Sequence, residues 1–78
     1  MNGVTPVGLA MLAMERRFYA RPGGKEQAIA DEFGITATEY YRRLNQLINR
    51  PAALSADPLT VNRLRRLRAS RGVRRRAG

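Results

Sequence analysis

The sequence contains no cysteine, no histidine and no tryptophan, and Lys25 is its only lysine. Without cysteine, neither a disulfide nor a thiolate-bound metal can reinforce the fold. Cysteine and histidine, which are common in nucleophilic and acid–base catalysis, are both missing. The carboxylates are scattered, and no glycine-rich phosphate loop follows a strand. We expect no enzymatic activity, no metal site and no cofactor.

Long apolar segments are absent as well. The first fourteen residues are fairly apolar, but they lack a basic n-region and fall short of the roughly 20 apolar residues that span a bilayer. A chain of 78 residues forms one small domain, which buries only about 60–65% of its unfolded surface. We expect a soluble, cytoplasmic protein whose small core depends on well-capped helices or on a partner.

Acidic residues are missing after Asp57, whereas residues 58–78 hold eight arginines. Residues 1–57 hold seven basic and six acidic residues. A near-neutral body with a cationic end is typical of a protein that binds a polyanion. A GC-rich genome would explain arginine in place of lysine but not the missing acids. The expected partner is nucleic acid, above all duplex DNA. An acidic protein surface or a membrane surface is a weaker interpretation. We do not expect the chain to be a membrane protein.

Capping signals predict an all-α fold of four helices, of which the first is apolar on more than one side. Thr5-Pro6 starts this helix and Arg21-Pro22-Gly23-Gly24 ends it. Its predicted inward residues follow helical spacing and are Val7, Met11, Met14 and Phe18. A second apolar group lies away from them and is the expected contact for a homodimer or another protein: Leu9, Leu12 and Tyr19.

The next two helices are predicted at residues 25–33 and 37–49. Gly34 follows the second helix, where a left-handed conformation suits glycine. Thr36 caps the third helix and forms a capping box in which Glu39 reaches back to the Thr36 amide. The inward residues of the third helix are predicted to be Tyr40, Leu44, Leu47 and Ile48.

The last predicted helix begins at Asp57-Pro58 and ends at Arg68. Residues 51–56 connect it to the third helix, and their Leu54 is expected to pack against the core. Residues 69–78 form an arginine-rich arm that we expect to be disordered in the free protein. The predicted division is therefore a helical domain at residues 5–68 and an arm at residues 69–78.

Residues 25–49 have the outline of a helix-turn-helix. That motif needs a small residue where its two helices cross and glycine in the turn, and Ala30 and Gly34 stand at these places. Arg43 occupies a position that is usually apolar, with Leu44 next to it, which indicates a slight rotation of the third helix. A helical bundle with no such function would also contain corners of this kind.

The outward face of the third helix supplies the candidate contacts to DNA. Arg42 can fork onto guanine and Asn45 onto adenine. The candidate base contacts are Thr38, Tyr41, Arg42 and Asn45. The candidate phosphate contacts are hydroxyl or basic residues around them and along the C-terminal end: Thr36, Lys25, Arg43, Arg63, Arg66, Arg71, Arg74, Arg75 and Arg76.

Several segments together resemble a family of small actinobacterial and actinophage proteins, which is catalogued as a domain of unknown function and described as helix-turn-helix-like. The segments are Glu15-Arg16-Arg17-Phe18-Tyr19, Gly24-Lys25-Glu26-Gln27-Ala28-Ile29, Phe33-Gly34-Ile35-Thr36-Ala37-Thr38, Tyr40-Tyr41, Leu44-Asn45, Arg50-Pro51, Asp57-Pro58 and Arg63-Leu64-Arg65-Arg66-Leu67-Arg68. The resemblance covers about residues 12–70 and leaves residues 1–12 outside. It implies an actinobacterial or phage origin and DNA binding, and it carries no ligand or mechanism.

Three functions follow as hypotheses. The first is a sequence-preferring DNA-binding transcription regulator that uses the third helix and the arginine-rich arm. The second is a small phage or host factor that docks on a larger protein such as RNA polymerase, with the first helix as an apolar anchor. The third is RNA binding, because arginine-rich arms fold on RNA.

Overall fold

The computed structural model describes the backbone of residues 3–77 and the side chains of residues 3–70. Within these residues the chain forms five α-helices and no strand, so the all-α prediction is confirmed. The helices are α1 (Pro6–Arg17), α2 (Lys25–Phe33), α3 (Ala37–Leu47), α4 (Pro51–Ala56) and α5 (Pro58–Ala77). None of the described helices has the length and apolar character that crossing a membrane requires.

The predicted N-caps of three helices are confirmed. The Thr5 hydroxyl oxygen accepts the N–H of Gly8 at 3.1 Å and caps α1. Thr36 and Asp57 cap α3 and α5 in the same way. Gly34 closes α2 with a φ of +66°, and its N–H donates to the Ala30 carbonyl oxygen. These bonds satisfy backbone groups that helix ends otherwise leave without partners.

Residues 51–56 are a short helix and not the connector that the sequence predicted. α3 ends at Leu47, before its predicted end at Asn49. The fixed φ of Pro51 suits the first position of a new helix, and the alanines after it favour helix. Ala53 is fully buried, and Leu54 packs against the core as expected. The domain therefore has five helices where four were predicted.

The last helix is longer than its predicted end at Arg68, since α5 continues to Ala77. Residues 69–77 contain no proline, and arginine and alanine have high helix propensity, so nothing in this segment stops the helix strongly. The backbone of the predicted arm is thus helical as far as Ala77. The division into a domain of residues 5–68 and an arm of residues 69–78 stays a prediction.

The core lies where α1, α3 and α5 meet. Its buried apolar residues are Met11, Leu12, Met14, Ile29, Tyr40, Leu44, Leu47, Ile48, Ala53 and Val61. All four inward residues predicted for α3 are among them, so that register is confirmed.

The predicted inward face of α1 is wrong at two places. Val7 is 54% exposed, whereas Leu12, assigned to a free partner surface, is only 1% exposed. The buried residues of α1 are Gly8, Met11, Leu12, Met14 and Glu15, and α3 and α5 cover this face from two sides. Met11 and Met14 are buried as predicted. Gly8 and Glu15 have no apolar side chain, so hydrophobic periodicity does not indicate that they belong to the buried face.

The crossing of α2 and α3 also differs from the prediction, because Ala30 is exposed. The contact between these helices is made by Ile29 and Phe33 of α2, and the Phe33 ring lies 5.6 Å from the Tyr40 ring. A close approach to a small residue occurs instead at Gly8, where a Cβ would meet Val4 Cγ1 at 2.5 Å and Leu47 Cδ1 of α3 at 3.3 Å. The chain therefore has a small residue on the side of α1 that faces α3.

Candidate nucleic-acid interface

The candidate base-contact residues lie together on the exposed side of α3. Burial of Tyr40, Leu44 and Leu47 fixes the rotation of this helix about its axis. Four of the residues that this rotation turns toward solvent share one side of the helix and are called here the reading face: Thr38, Tyr41, Arg42 and Asn45. Arg43 is exposed beside them, as its assignment to phosphate contact requires.

Glu39 lies next to the reading face and binds two of its neighbours. Its carboxylate accepts hydrogen bonds from Arg42 Nε at 3.0 Å and from Arg43 Nε at 2.7 Å. The hydrogen bonds from Arg42 and then Arg43 lower the pKa of Glu39 to about 2. An acidic residue therefore lies directly beside the candidate base contacts. Only half of the predicted capping box forms, because spacings of three and four residues direct Glu39 toward the arginines and away from the Thr36 amide.

Lys25, assigned to phosphate contact by the sequence, is engaged inside the molecule. Its Nζ lies 2.8 Å from Glu15 Oε1 and 5.0 Å from the centre of the Tyr41 ring. Burial alone would lower the pKa of Lys25, but the bond to Glu15 and the nearby Tyr41 hydroxyl outweigh it and raise that pKa. We therefore remove Lys25 from the phosphate-contact set and treat it as a support for Tyr41.

Glu15 is the centre of a buried polar cluster that the sequence analysis missed. Its side chain is 6% exposed, and its second carboxylate oxygen accepts the Tyr40 hydroxyl, so that Glu15, Lys25 and Tyr40 join α1, α2 and α3. Burial and then the bond to Glu15 raise the pKa of Tyr40 far above its usual range. The only signal for this cluster was the helical spacing of Glu15 from Met11 and Leu12.

Two arginines of α5 bind the C-terminal end of α3. Arg65 Nε donates to the Ile48 carbonyl oxygen at 2.6 Å. Arg68 donates to the Asn45 carbonyl oxygen at 3.3 Å and to Asn49 Oδ1 at 2.7 Å. Cationic donors suit the carbonyl oxygens and the partial negative charge at a helix C-terminus. The arginine-rich helix is thus attached directly beside the reading face, which no sequence spacing indicated.

The other basic candidates differ in their surroundings. The Arg63 guanidinium lies 3.8 Å from the centre of the Tyr19 ring and donates to the Glu15 carbonyl oxygen at 3.4 Å. Arg66 is exposed. The side chains of four further candidates lie outside the described residues: Arg71, Arg74, Arg75 and Arg76.

An open groove of about 830 Å³ runs between α1, α3 and α5. Tyr41 and Asn45 of the reading face form part of its wall, and Arg63 and Arg68 lie on the α5 side. Of the predicted partner surface on α1, Tyr19 is 65% exposed and borders this groove, and Leu9 is 49% exposed. The groove therefore connects the reading face with the arginine-rich helix.

Comparison with known proteins gives one match. No curated protein and no solved structure matches the chain. A family model described as "Protein of unknown function (DUF3263)" matches residues 4–76. The match begins before the expected boundary near residue 12, so most of the N-terminal segment is part of the family pattern. Because the match spans nearly the whole chain, the protein belongs to the DUF3263 family.

Proposed function

We propose that this protein is a sequence-preferring DNA-binding transcription regulator in which α2 and α3 act as a helix-turn-helix. The observation that carries the proposal is the attachment of α5 to the end of α3 through Arg65 and Arg68. This attachment places the exposed polar face of α3 and the most cationic segment of the chain, α5, on one surface. Direct base contacts and phosphate contacts need such an arrangement.

The reading face has the side chains and spacing for base contacts in a major groove. Thr38, Arg42 and Asn45 follow one another at four and three residues, so they share one side of the helix. Arg42 would bind guanine O6 and N7, and Asn45 would bind adenine N6 and N7. Arg42 would first leave Glu39, which costs little because ion pairs between exposed side chains are weak.

The remaining basic residues would bind phosphates on either side of α3. Arg43 and Arg66 are exposed, and the C-terminal part of α5 adds four more arginines. Contacts of this kind strengthen binding to every sequence alike and depend on salt. They would compensate for the weak specificity of a single recognition helix.

A fluorescence-anisotropy titration tests this function. The labelled probes are a random-sequence duplex, a single strand of the same sequence and a structured RNA, each at two salt concentrations. We expect the tightest binding to the duplex, and we expect simultaneous change of Arg74, Arg75 and Arg76 to alanine to weaken binding to all duplex sequences equally. Tighter binding to RNA at both salt concentrations would contradict the proposal and favour RNA binding.

A docking factor for a larger protein is the second candidate. Val7 and Leu9, which are 54% and 49% exposed, favour it, because they leave apolar surface on α1 next to a cationic domain. Pull-down from nuclease-treated lysate separates the two functions. A partner such as RNA polymerase that is retained by the wild type and lost with Leu9→Ser would support docking. Loss of all partners after nuclease treatment would support nucleic-acid binding.

The origin and location of the protein are part of the same proposal. The resemblance described above favours an actinobacterium or its phage. A DNA-binding regulator in such a cell would act in the cytoplasm, which we propose as the location. Fractionation of a producing cell, followed by detection of the protein with an antibody, tests this assignment.

A further inference from the structure

The groove between α1, α3 and α5 has the size of a small-molecule site. Its volume of about 830 Å³ lies within the range of about 300–1,000 Å³ in which most ligand pockets fall. Its floor is apolar and consists of Phe18, Leu44, Ile48, Leu64 and Leu67. A planar apolar ring could therefore be buried in this groove. Binding of a duplex by α3 does not require such a ring.

Two tyrosines border the groove, and each has a cation on its ring. The Arg63 guanidinium is 3.8 Å from the centre of the Tyr19 ring, and Lys25 Nζ is 5.0 Å from the centre of the Tyr41 ring. Tyr19 is 65% exposed and Tyr41 is 38% exposed. Exposed aromatic rings beside cations are the surfaces on which nucleobases stack.

The charge of the groove favours an anion. The charged residues that border it are Glu15, Lys25, Arg63 and Arg68. Glu15 and Lys25 pair with each other and cancel, which leaves the positive charges of Arg63 and Arg68. A guanidinium has five N–H donors, and the bonds described above leave donors of Arg63 and Arg68 for the oxygens of a phosphate.

We propose that the groove binds one unpaired nucleotide. Its base would stack on Tyr19 and Tyr41 over the apolar floor, and its phosphate would bind Arg63 and Arg68. A free nucleoside monophosphate and a nucleotide within a single strand supply the same chemistry. The ligand of this site differs from the duplex that α3 would bind. The site shares Tyr41 and Asn45 with the reading face, so a nucleotide in the groove would compete with the duplex.

Isothermal titration calorimetry on the full chain tests the site. The probes are adenosine 5′-monophosphate, adenosine, inorganic phosphate and a short single-stranded oligodeoxyadenylate. We expect saturable binding of the monophosphate or the oligonucleotide, and weaker binding of adenosine and of phosphate alone. Tighter binding of the oligonucleotide assigns the site to single strands, and equal or tighter binding of the monophosphate assigns it to free nucleotides.

Three variants locate the binding. Tyr19→Ala removes an exposed ring and is expected to lower the affinity about fivefold or more, with circular dichroism confirming an unchanged fold. Arg63→Ala is expected to weaken binding as well, whereas Arg50→Ala removes the same charge from an exposed residue outside the groove and should leave the affinity unchanged.

Failure of this site is distinguishable from failure of the proposed function. Absence of saturable binding by both nucleotide probes, or wild-type affinity in Tyr19→Ala, would overturn the inference. So would equal losses in Arg63→Ala and Arg50→Ala, which would indicate attraction by charge alone. Duplex binding without nucleotide binding would overturn only this inference, and nucleotide binding without duplex binding would overturn only the proposed function.

Discussion

Glu15 shows how one residue can organise a small core. It is a buried carboxylate on the inner face of α1, and its partners Lys25 and Tyr40 come from the next two helices. Tyr40 was predicted to be buried because its position in α3 follows helical spacing, and this was confirmed. Glu15 and Lys25 could not be assigned in the same way, because charged residues are rarely buried. Their pairing depends on how three helices meet, which periodicity within one helix does not reveal.

Replacing Glu15 should destabilise the protein strongly. Glu15→Ala leaves the partly buried Lys25 ammonium without its acceptor and leaves the buried Tyr40 hydroxyl only the Met11 carbonyl oxygen at 3.3 Å. We therefore expect the free energy of unfolding to fall by about 3 kcal/mol. Urea denaturation followed by circular dichroism measures this. Glu32→Ala is the matched control, because the bond of Glu32 to Arg17 is exposed and should contribute less than about 1 kcal/mol. Equal effects of the two substitutions would contradict a central role for Glu15.

The same cluster predicts sensitivity to high pH. The folded state raises the pKa of Tyr40 above its unfolded value of 10.0 and that of Lys25 above 10.5. Both groups therefore contribute stability that is complete below those unfolded values and is lost as the pH rises beyond them. We expect the free energy of unfolding to decline above about pH 10, and more gently in Tyr40→Phe. Tyr19→Phe, at an exposed ring, is the control, and an equal flattening there would contradict the prediction.

Helix starts and the end of α2 were the most predictable features, because their signals are local. Thr5, Thr36 and Asp57 cap helices as predicted, and Gly34 closes α2 at its predicted bound. The ends of the other long helices differ from the prediction, since α1 ends at Arg17, α3 at Leu47 and α5 at Ala77. The short helix α4 was missed, since proline after a helix marks both an end and a possible new beginning. The reading face followed from the buried side of α3, but its bonds to Glu39 and Arg68 did not.

Asp57 joins two elements and should be sensitive to acid. Its Oδ1 accepts the Thr60 N–H at the start of α5, and its Oδ2 binds Arg16 of α1. Burial alone would raise the pKa of Asp57, but the bonds to Thr60 and Arg16 outweigh it and lower that pKa below 3.8. Its charge therefore stabilises the fold above that value and less as the pH falls below it.

Two substitutions separate capping from charge at this position. Asp57→Ala should cost about 1–2 kcal/mol through loss of the cap. Asp57→Asn keeps a capping oxygen and should cost less at neutral pH while removing this part of the acid dependence. Thermal unfolding between pH 3 and pH 7, a range chosen around the unfolded Asp pKa of about 3.9, checks both. An Asp57→Asn protein that loses as much stability as Asp57→Ala would show that capping is not the main contribution.

Substitution of Glu39 in α3 should strengthen duplex binding. Glu39→Gln removes the negative charge that holds Arg42 and Arg43, so both arginines become available and the repulsion of phosphate decreases. We expect duplex affinity to rise several-fold. Glu26→Gln makes the same charge change on the exposed part of α2 and should raise it less. Unchanged or weaker binding by Glu39→Gln would place the duplex away from α3.

The whole molecule combines a near-neutral body with a cationic helix, and this layout was evident from the sequence. The all-α class and most of the core also followed from it. The position of α5 did not, because the contacts of Arg65 and Arg68 with the end of α3 join residues that are far apart in the sequence. The groove and the buried side of α1 depend on that same placement.

Salt dependence measures how many arginines bind phosphate. If about five phosphates are neutralised, the logarithm of the binding constant should fall with the logarithm of salt at a slope of about −4 to −5. Removing residues 69–78 deletes four of the eight arginines after Asp57, so each lost contact should make the slope shallower by about 0.9. A slope that the truncation leaves unchanged would remove the C-terminal end from the interface.

Base reading by α3 is best tested by selection of bound duplexes from a random pool. The wild type and Arg42→Ala are each carried through the same rounds at one salt concentration, and the enriched sequences are compared. We expect a consensus for the wild type, and for Arg42→Ala we expect the preference to weaken at one guanine position alone. No enriched sequence for the wild type, or the same consensus for both proteins, would contradict base reading by α3.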